Sequence, residues 1–309
     1  MSFIDFARAH GVEINLDKFA PRDRVQRCPT TEKPRSKNGS YFWDGRRGWV
    51  FAWDGEARVQ WYDDPNAKPW TDEEKQEWAA RRRRQREEQQ QLHIRAARHA
   101  AELMATTVPG THDYLIRKKL PAAQGLRLPD GGLLVPMRDV ATNEMRGAQI
   151  IRWASDEETG EMRWTKKMLY GMQAQGAVLR LGPKHARELV LCEGYATGLS
   201  IELALRQMRL VAAVLVCFND SNMVLVAGKT TGRRYCFADH DDMPKPERAK
   251  RDRGEPFEAR GPGELAAIAT GLPYCISPVL GEDANDMHAR AGLTPLCSLL
   301  MAARRGAAM

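Results

Sequence analysis

The chain has 309 residues, enough for two modest domains, and 47 Lys and Arg against 40 Asp and Glu leave a net charge of +7. No run approaches the roughly 18 apolar residues of a membrane span, and Met1-Ser2-Phe3-Ile4-Asp5 lacks a signal layout, so no membrane role and a cytoplasmic location are expected. The basic excess permits a nucleic-acid partner without requiring one; the six cysteines show no CxxC or metal-ligand spacing and suggest a reduced compartment.

In chain order, Phe3, Ile4, Phe6 and Ala7 predict a short amphipathic helix within residues 1–23. Aromatic, β-favouring runs at 40–43, 48–53 and 57–62, separated by Asp44-Gly45 and Asp54-Gly55, predict a three-stranded meander. Trp43, Trp49, Trp53 and Trp61 are either the core of that sheet or, near Arg46 and Arg47, a platform for stacking bases with arginines on the phosphates. Alternation cannot put all four on one face. Thr71 with Glu74 is a capping box that opens a helix reaching about Met104. Its stretch 81–91 is almost free of apolar residues, as in a helix that bridges domains through solvent, and unbroken it spans roughly 50 Å. Pro109-Gly110-Thr111 ends it. Tyr114-Leu115-Ile116-Arg117-Lys118-Lys119 reads as a short basic helix, and 133–137, 147–151 and 161–164 as strands. Lys166 and Lys167 follow, by themselves two exposed lysines in a turn.

Residues 189–192 form a buried strand too short to be a helix; Ala196, Leu199, Leu203, Ala204 and Met208 then recur at helical spacing. Glu193 therefore stands at the carboxyl end of a strand, where ligands bind in open α/β sheets, although alone it reads equally as a solvated acid. Residues 234–238 form another strand, followed by Asp239-His240-Asp241-Asp242. Residues two apart in an extended chain point the same way, so Asp239 and Asp241 converge, and Mg²⁺ is the usual counter-charge for such a pair. After a strand at 274–279 comes a third acidic cluster, Glu282-Asp283-Ala284-Asn285-Asp286. Gly228-Lys229-Thr230-Thr231 fails as a P-loop, because the first glycine would fall at Met223 and a strand follows. Residues 243–261 read as a long loop beside the site, and His240 and His288 as supporting or surface groups.

Acids at successive strand ends in this order resemble the Toprim domain, the metal-binding fold shared by bacterial-type primases, topoisomerases and some nucleases. Glu193-Gly194-Tyr195 matches its glutamate motif, Asp239-x-Asp241 its DxD motif, and Asp283-Ala284-Asn285-Asp286 resembles the late acidic motif of phage and plasmid primases. Cys217-Phe218-Asn219-Asp220-Ser221-Asn222-Met223 resembles the middle of those proteins, and the similarity covers roughly 185–295. One departure is Thr197, where replicative primases usually carry an aspartate.

The resemblance implies an α/β fold, a Toprim (Rossmann-like, mostly parallel sheet) catalytic domain preceded by a mixed α+β subdomain and a small N-terminal antiparallel β module. The expected segments are 1–66 (aromatic β module), 67–106 (charged linker helix), 107–184 (basic subdomain) and 185–309 (Toprim domain with a C-terminal helix). The module, with Arg27-Cys28-Pro29, resembles the zinc ribbon of primases, but one cysteine cannot hold tetrahedral zinc and no zinc is expected.

The implied function is a DNA primase of a phage or mobile element, making short RNA primers on single-stranded DNA from NTPs with Mg²⁺ or Mn²⁺ and a separate helicase as partner. Asp239 and Asp241 are expected to hold metal, Asp283 or Asp286 to supplement them, and Glu193 to be ligand or general base. Lys166 or Lys167 takes the place of the basic motif; Arg163, Arg117, Lys118, Lys119, Arg46, Arg47 and Trp49 join the expected nucleic-acid contacts. A Toprim nuclease, or an inactive Toprim scaffold binding single strands or a helicase, are the competing readings.

Overall fold

The computed structural model describes residues 1–35, 37–53, 58–63, 71–155 and 160–306. The chain forms two compact units, Met1–Arg82 with Lys245–Phe257, and Arg83–Pro244 with Glu258–Met309, a division that follows none of the expected segment boundaries.

In the first unit, helix α1 (Phe3–Ala9) is opened by a Ser2/Asp5 capping box. Strands β1 (Arg22–Cys28), β2 (Gly39–Trp43), β3 (Arg47–Ala52) and β4 (Gln60–Asp63) form an antiparallel sheet in that order. Gly48, Val50 and Ala52 alternate inward along β3, and Val50 joins Tyr41, Tyr62 and Cys28 in a core completed by Phe3 and Ala7. The meander is present, and β1 is a fourth strand that pattern reading overlooks. Four of its seven residues are charged and its one aliphatic side chain, Val25, faces solvent, which suits an edge strand that must not pair with other chains. The Asp44-Gly45 turn forms as expected, with Asp44 Oδ1 accepting from the backbone of Arg46 and Arg47 at 2.8 and 2.7 Å. The Asp54-Gly55 turn lies outside the described residues. Trp43 stacks on Phe3 at 4.6 Å, whereas Trp53 and Trp61 are exposed.

Helix α2 (Asp72–Ala105) starts at the expected capping box, Thr71 and Glu74 each accepting from the other's backbone N–H. Residues 81–91 are exposed throughout. Beyond them the helix is not a solvated linker. Ala96 and Ala100, four apart, are buried, Ala100 packs on Leu134, Ala148 and Ile150, and the His93 ring bonds the Gly171 carbonyl at 2.8 Å. Small residues at that spacing give a flat helix face that lies close to a sheet.

The second unit continues with β5 (Val108–Gly110), α3 (Asp113–Arg117), β6 (Gly125–Arg127), β7 (Leu133–Asp139), β8 (Met145–Ser155), β9 (Met162–Met168) and β10 (Ala177–Leu181). Then come β11 (Glu188–Cys192), α4 (Tyr195–Gln207), β12 (Ala212–Val216), α5 (Asp220–Lys229) and β13 (Arg233–Ala238). Residues 243–261, expected as a loop, contain α6 (Lys245–Asp252), which clusters with the first unit, and α7 (Pro262–Ala269) follows them. The chain closes with β14 (Tyr274–Ile276), α8 (Ala284–Ala291) and α9 (Leu293–Arg304). Among the described residues no helix is long and apolar enough to cross a membrane.

The sheet runs β14-β13-β11-β12-β10-β7-β6-β5, with β8 on β7 and β9 on β8. Strands β11 to β14 are parallel; β10 is antiparallel to both β12 and β7 and joins the parallel part to the antiparallel part. Residues Leu189–Cys192 and all of β12 are buried because helices cover both faces: α4 and α9 pack on one side, α5 and α7 on the other. Gly198 lets α4 sit this close, since a Cβ there would collide with Val216.

Candidate active site

The chain leaves β11 through α4 toward β12 and returns through α5 to β13 on the other side of β11. Connections diverge between β11 and β13, which opens a crevice at their carboxyl ends, the place where open parallel sheets bind ligands. Glu193 follows β11 and Asp239 follows β13, on opposite lips of that crevice. Asp220, the first residue of α5 after β12, joins them.

The carboxyl groups of Glu193 and Asp220 lie close enough to shift one another's titration. Burial, then the carboxylates of Asp220, Asp239 and Asp241, raise the Glu193 pKa. Burial also raises Asp220, Asp241 adds to the rise, and the neighbouring Glu193 carboxyl pulls the other way. Burial, then Asp283, Asp241 and Asp220, raise Asp239 from 3.8 to about 7, with Lys166 opposing. Oδ1 of Asp220 and Oδ1 of Asp239 are buried with no hydrogen-bond partner.

Asp241 is held differently. Its Oδ2 accepts from the Gly263 backbone N–H at 3.1 Å, in the first turn of α7. A Cβ on Gly263 would lie 2.5 Å from the Asp239 carbonyl oxygen, and one on Gly261 would collide with the Asp241 carbonyl. Two glycines thus let a helix end press against the DxD backbone. His240 ties the same segment to the next strand end, its ring bonding the Ser277 carbonyl at 2.7 Å.

The late acids divide. Asp283 caps α8 through Oδ1, which accepts from the Asp286 N–H at 2.8 Å, and its Oδ2 accepts from Thr197 Oγ1 at 3.0 Å. The threonine at the position of departure therefore orients Asp283. Asp286 turns away to Lys118, whose Nζ is 3.3 Å from Oδ1.

Lys166 and Lys167 lie within β9, not in a turn, because Gln149–Ser155 of β8 pair with Met162–Met168. Strand alternation sends them to opposite faces. Lys166 pairs with buried Ile151 and stands 6.0 Å from the Tyr114 ring centre, on the side where Asp239 feels its charge. Lys167 and Arg163 belong to the other face. Arg117 lies 5.8 Å over the Trp153 ring, whereas Lys119 bonds the Ala289 carbonyl at 3.2 Å, so Lys118 and Lys119 fasten α3 to α8. In the first unit Arg46 forms a two-toothed pair with Glu74 and Arg47 meets Asp63 at 3.1 Å. Trp49 pairs across the sheet with exposed Trp61 on the face away from the core.

Among the described residues no three His, Cys, Asp or Glu side chains form a ready-made ion cage. Mutually repelling carboxylates do not close on one another unaided. The donor set nevertheless suits a hard divalent ion: acidic oxygens only, two of them buried with no hydrogen-bond partner. Cys28 offers nothing comparable, being in the first unit's core with its thiol pushed up to about 11 by burial.

No protein-family model matches the chain, and no curated protein matches its sequence. Two solved structures are similar. One is the bacteriophage T7 lagging-strand DNA polymerase interacting with primase domains of two gp4 subunits bound to an RNA/DNA hybrid and dTTP, at 12% identity and a TM-score of 0.36 over 64% of this chain and 92% of that one. The other is the DnaG catalytic core, at 16% identity and a TM-score of 0.31 over 57% of this chain and 52% of that one. This is a likeness of general fold outline, and it assigns no residue a role.

Proposed function

We propose that the protein is a DNA primase of a phage or mobile element, whose parallel part with its helices is a Toprim domain synthesising short RNA primers on single-stranded DNA. The observation that carries this reading is that Glu193, Asp220 and Asp239 follow β11, β12 and β13 at the diverging strand ends, two of them with a buried, unpartnered oxygen, with Lys166 near enough for Asp239 to feel its charge.

In the reaction a ribose 3′-hydroxyl attacks the α-phosphorus of an NTP, the new O–P bond forms as the bond to pyrophosphate breaks, and the hydroxyl proton passes to a base. Asp239 and Asp241 would hold Mg²⁺ or Mn²⁺, supplemented by Asp283, and the ion would supply charge neutralisation at the phosphates. Gly263 holds Asp241 in place for that task, and Thr197 does the same for Asp283. Lys166 offers a cation to the phosphate oxygens from β9, on the face where Asp239 feels its charge. Glu193, its pKa raised by burial and by the acids around it, would serve as a ligand of the ion or as the general base. A replicative helicase is the partner in this reading; Gly228 and Lys229 end α5, whereas the glycine-lysine pair of a P-loop opens a helix.

The test is incorporation of labelled ribonucleotides on circular single-stranded DNA, comparing the wild type with Asp239→Ala/Asp241→Ala. Short products that vanish in the double variant support the proposal. Degradation of the template that vanishes in the same variant replaces it with a nuclease, and binding of single strands with no chemistry at any metal concentration replaces it with a scaffold.

A further inference from the structure

Across the β8/β9 pair, Trp153 and Trp164 are direct partners on the face that carries Lys166. Their rings meet edge-on at 5.4 Å. Trp164 in turn meets Tyr114 at 5.5 Å and His112 at 5.6 Å, and the Lys166 ammonium approaches the same Tyr114 ring. A row of aromatic rings thus leads outward from the cation beside the acids. Its inner rings are buried or half-buried; its outer ring is not. Trp153 is 48% exposed.

A large indole held rigid and left half open is unusual on a strand whose same-face neighbour Ile151 is fully buried. The Arg117 guanidinium lies over Trp153, so the exposed ring has a cation beside it as well as one two positions inward at Lys166, about 6.6 Å away along the strand. Aromatic rings interleaved with cations suit single-stranded nucleic acid, which offers a π-face at every base and a negative charge at every phosphate. A protein partner of acidic character would use the cations but leave the rings unexplained.

We propose that Trp153 is a base-stacking platform for single-stranded DNA running toward the acidic crevice, with Arg117 as its phosphate contact and Lys166 left for the nucleotide at the crevice. The assignment rests on the primase reading for its direction of travel and deepens it by naming where the template is gripped. Trp164 acts as a positioning residue, fixing the Trp153 ring through their edge contact.

The test is equilibrium binding of a fluorescent oligo(dT) strand and of a duplex of equal length at fixed salt, using full-length wild type, Trp153→Ala and Trp153→Phe. Single-strand binding should weaken by about 5- to 150-fold in the alanine variant, recover most of that loss in the phenylalanine variant, and duplex binding should change far less. Unchanged oligo(dT) binding by Trp153→Ala overturns the proposal; so does a Trp153→Phe variant as weak as alanine, or an equal loss on duplex. Because the readout is binding, a wild type that grips oligo(dT) through Trp153 and makes no RNA would contradict the primase reading and leave the platform standing.

Discussion

Replacing Asp239 by asparagine keeps the shape of the side chain and removes its charge from a crowded set of acids. Because its folded pKa, about 7, lies above the 3.8 of an ordinary aspartate, Asp239 contributes stability that is fully present below about pH 4 and is lost as pH rises through 7. Each tenfold in acidity is worth about 1.36 kcal/mol, which sets an upper limit of roughly 4 kcal/mol on the penalty at pH 8. Allowing for relaxation of neighbouring acids, Asp239→Asn should stabilise the metal-free protein at pH 8 by about 2 kcal/mol, or about 4–8 °C in Tm, and leave it little changed at pH 4.5. The response to metal should run the other way: Mg²⁺ at a hundred times its Kd stabilises the wild type by about 2.7 kcal/mol and the variant by far less. Differential scanning calorimetry from pH 4.5 to 8.5, with EDTA and with Mg²⁺, measures both. An asparagine variant with the wild type's Tm at pH 8 and the wild type's gain on adding Mg²⁺ would refute the reasoning.

Lys166→Ala should reduce ribonucleotide incorporation by about a hundredfold, and Lys167→Ala should have a far smaller effect, because only the former faces the acids. Gly263→Ala should displace the DxD backbone, visible as a weaker Mg²⁺ affinity in calorimetric titration while far-UV circular dichroism stays unchanged. Gly198→Ala pushes a methyl into Val216 and should lower stability by about 1–3 kcal/mol in urea unfolding. Thr197→Val removes the donor to Asp283 and should cost about 1.5–3 kcal/mol by the same measurement, since the accepting group is charged and part-buried.

Strands β11, β13 and β14 were legible because each is a short apolar run closed by an acid or a polar turn, and along β11 burial on both faces leaves no alternation to confuse with a helix. β1 was not, because an edge strand advertises charge instead of apolar pattern; β10 was not, because its five residues include Arg180 and its role depends on two distant partners. The same limit separates Lys166 from Lys167. They are neighbours in the chain, and only the pairing register with β8 says which one faces the acids. Asp286 and Lys118 are 168 residues apart, so nothing local to either could have revealed their ion pair. Asp220 could have been found: it follows a strand in the same open-edge position as Glu193 and Asp239. In the sequence it stands inside Cys217–Met223, quoted only for its likeness to the middle of phage and plasmid primases, and the structure shows it to be the first residue of α5, capped by Asn219.

The most direct test of the central claim is a Mn²⁺ titration followed by electron paramagnetic resonance, with wild type, Asp239→Asn and Lys167→Ala. Loss of the free-ion signal in the wild type, its return in the asparagine variant, and wild-type behaviour in Lys167→Ala are the predicted result. Equal Mn²⁺ binding by wild type and Asp239→Asn would contradict the account, because the acids at the diverging strand ends would then not be what holds the ion.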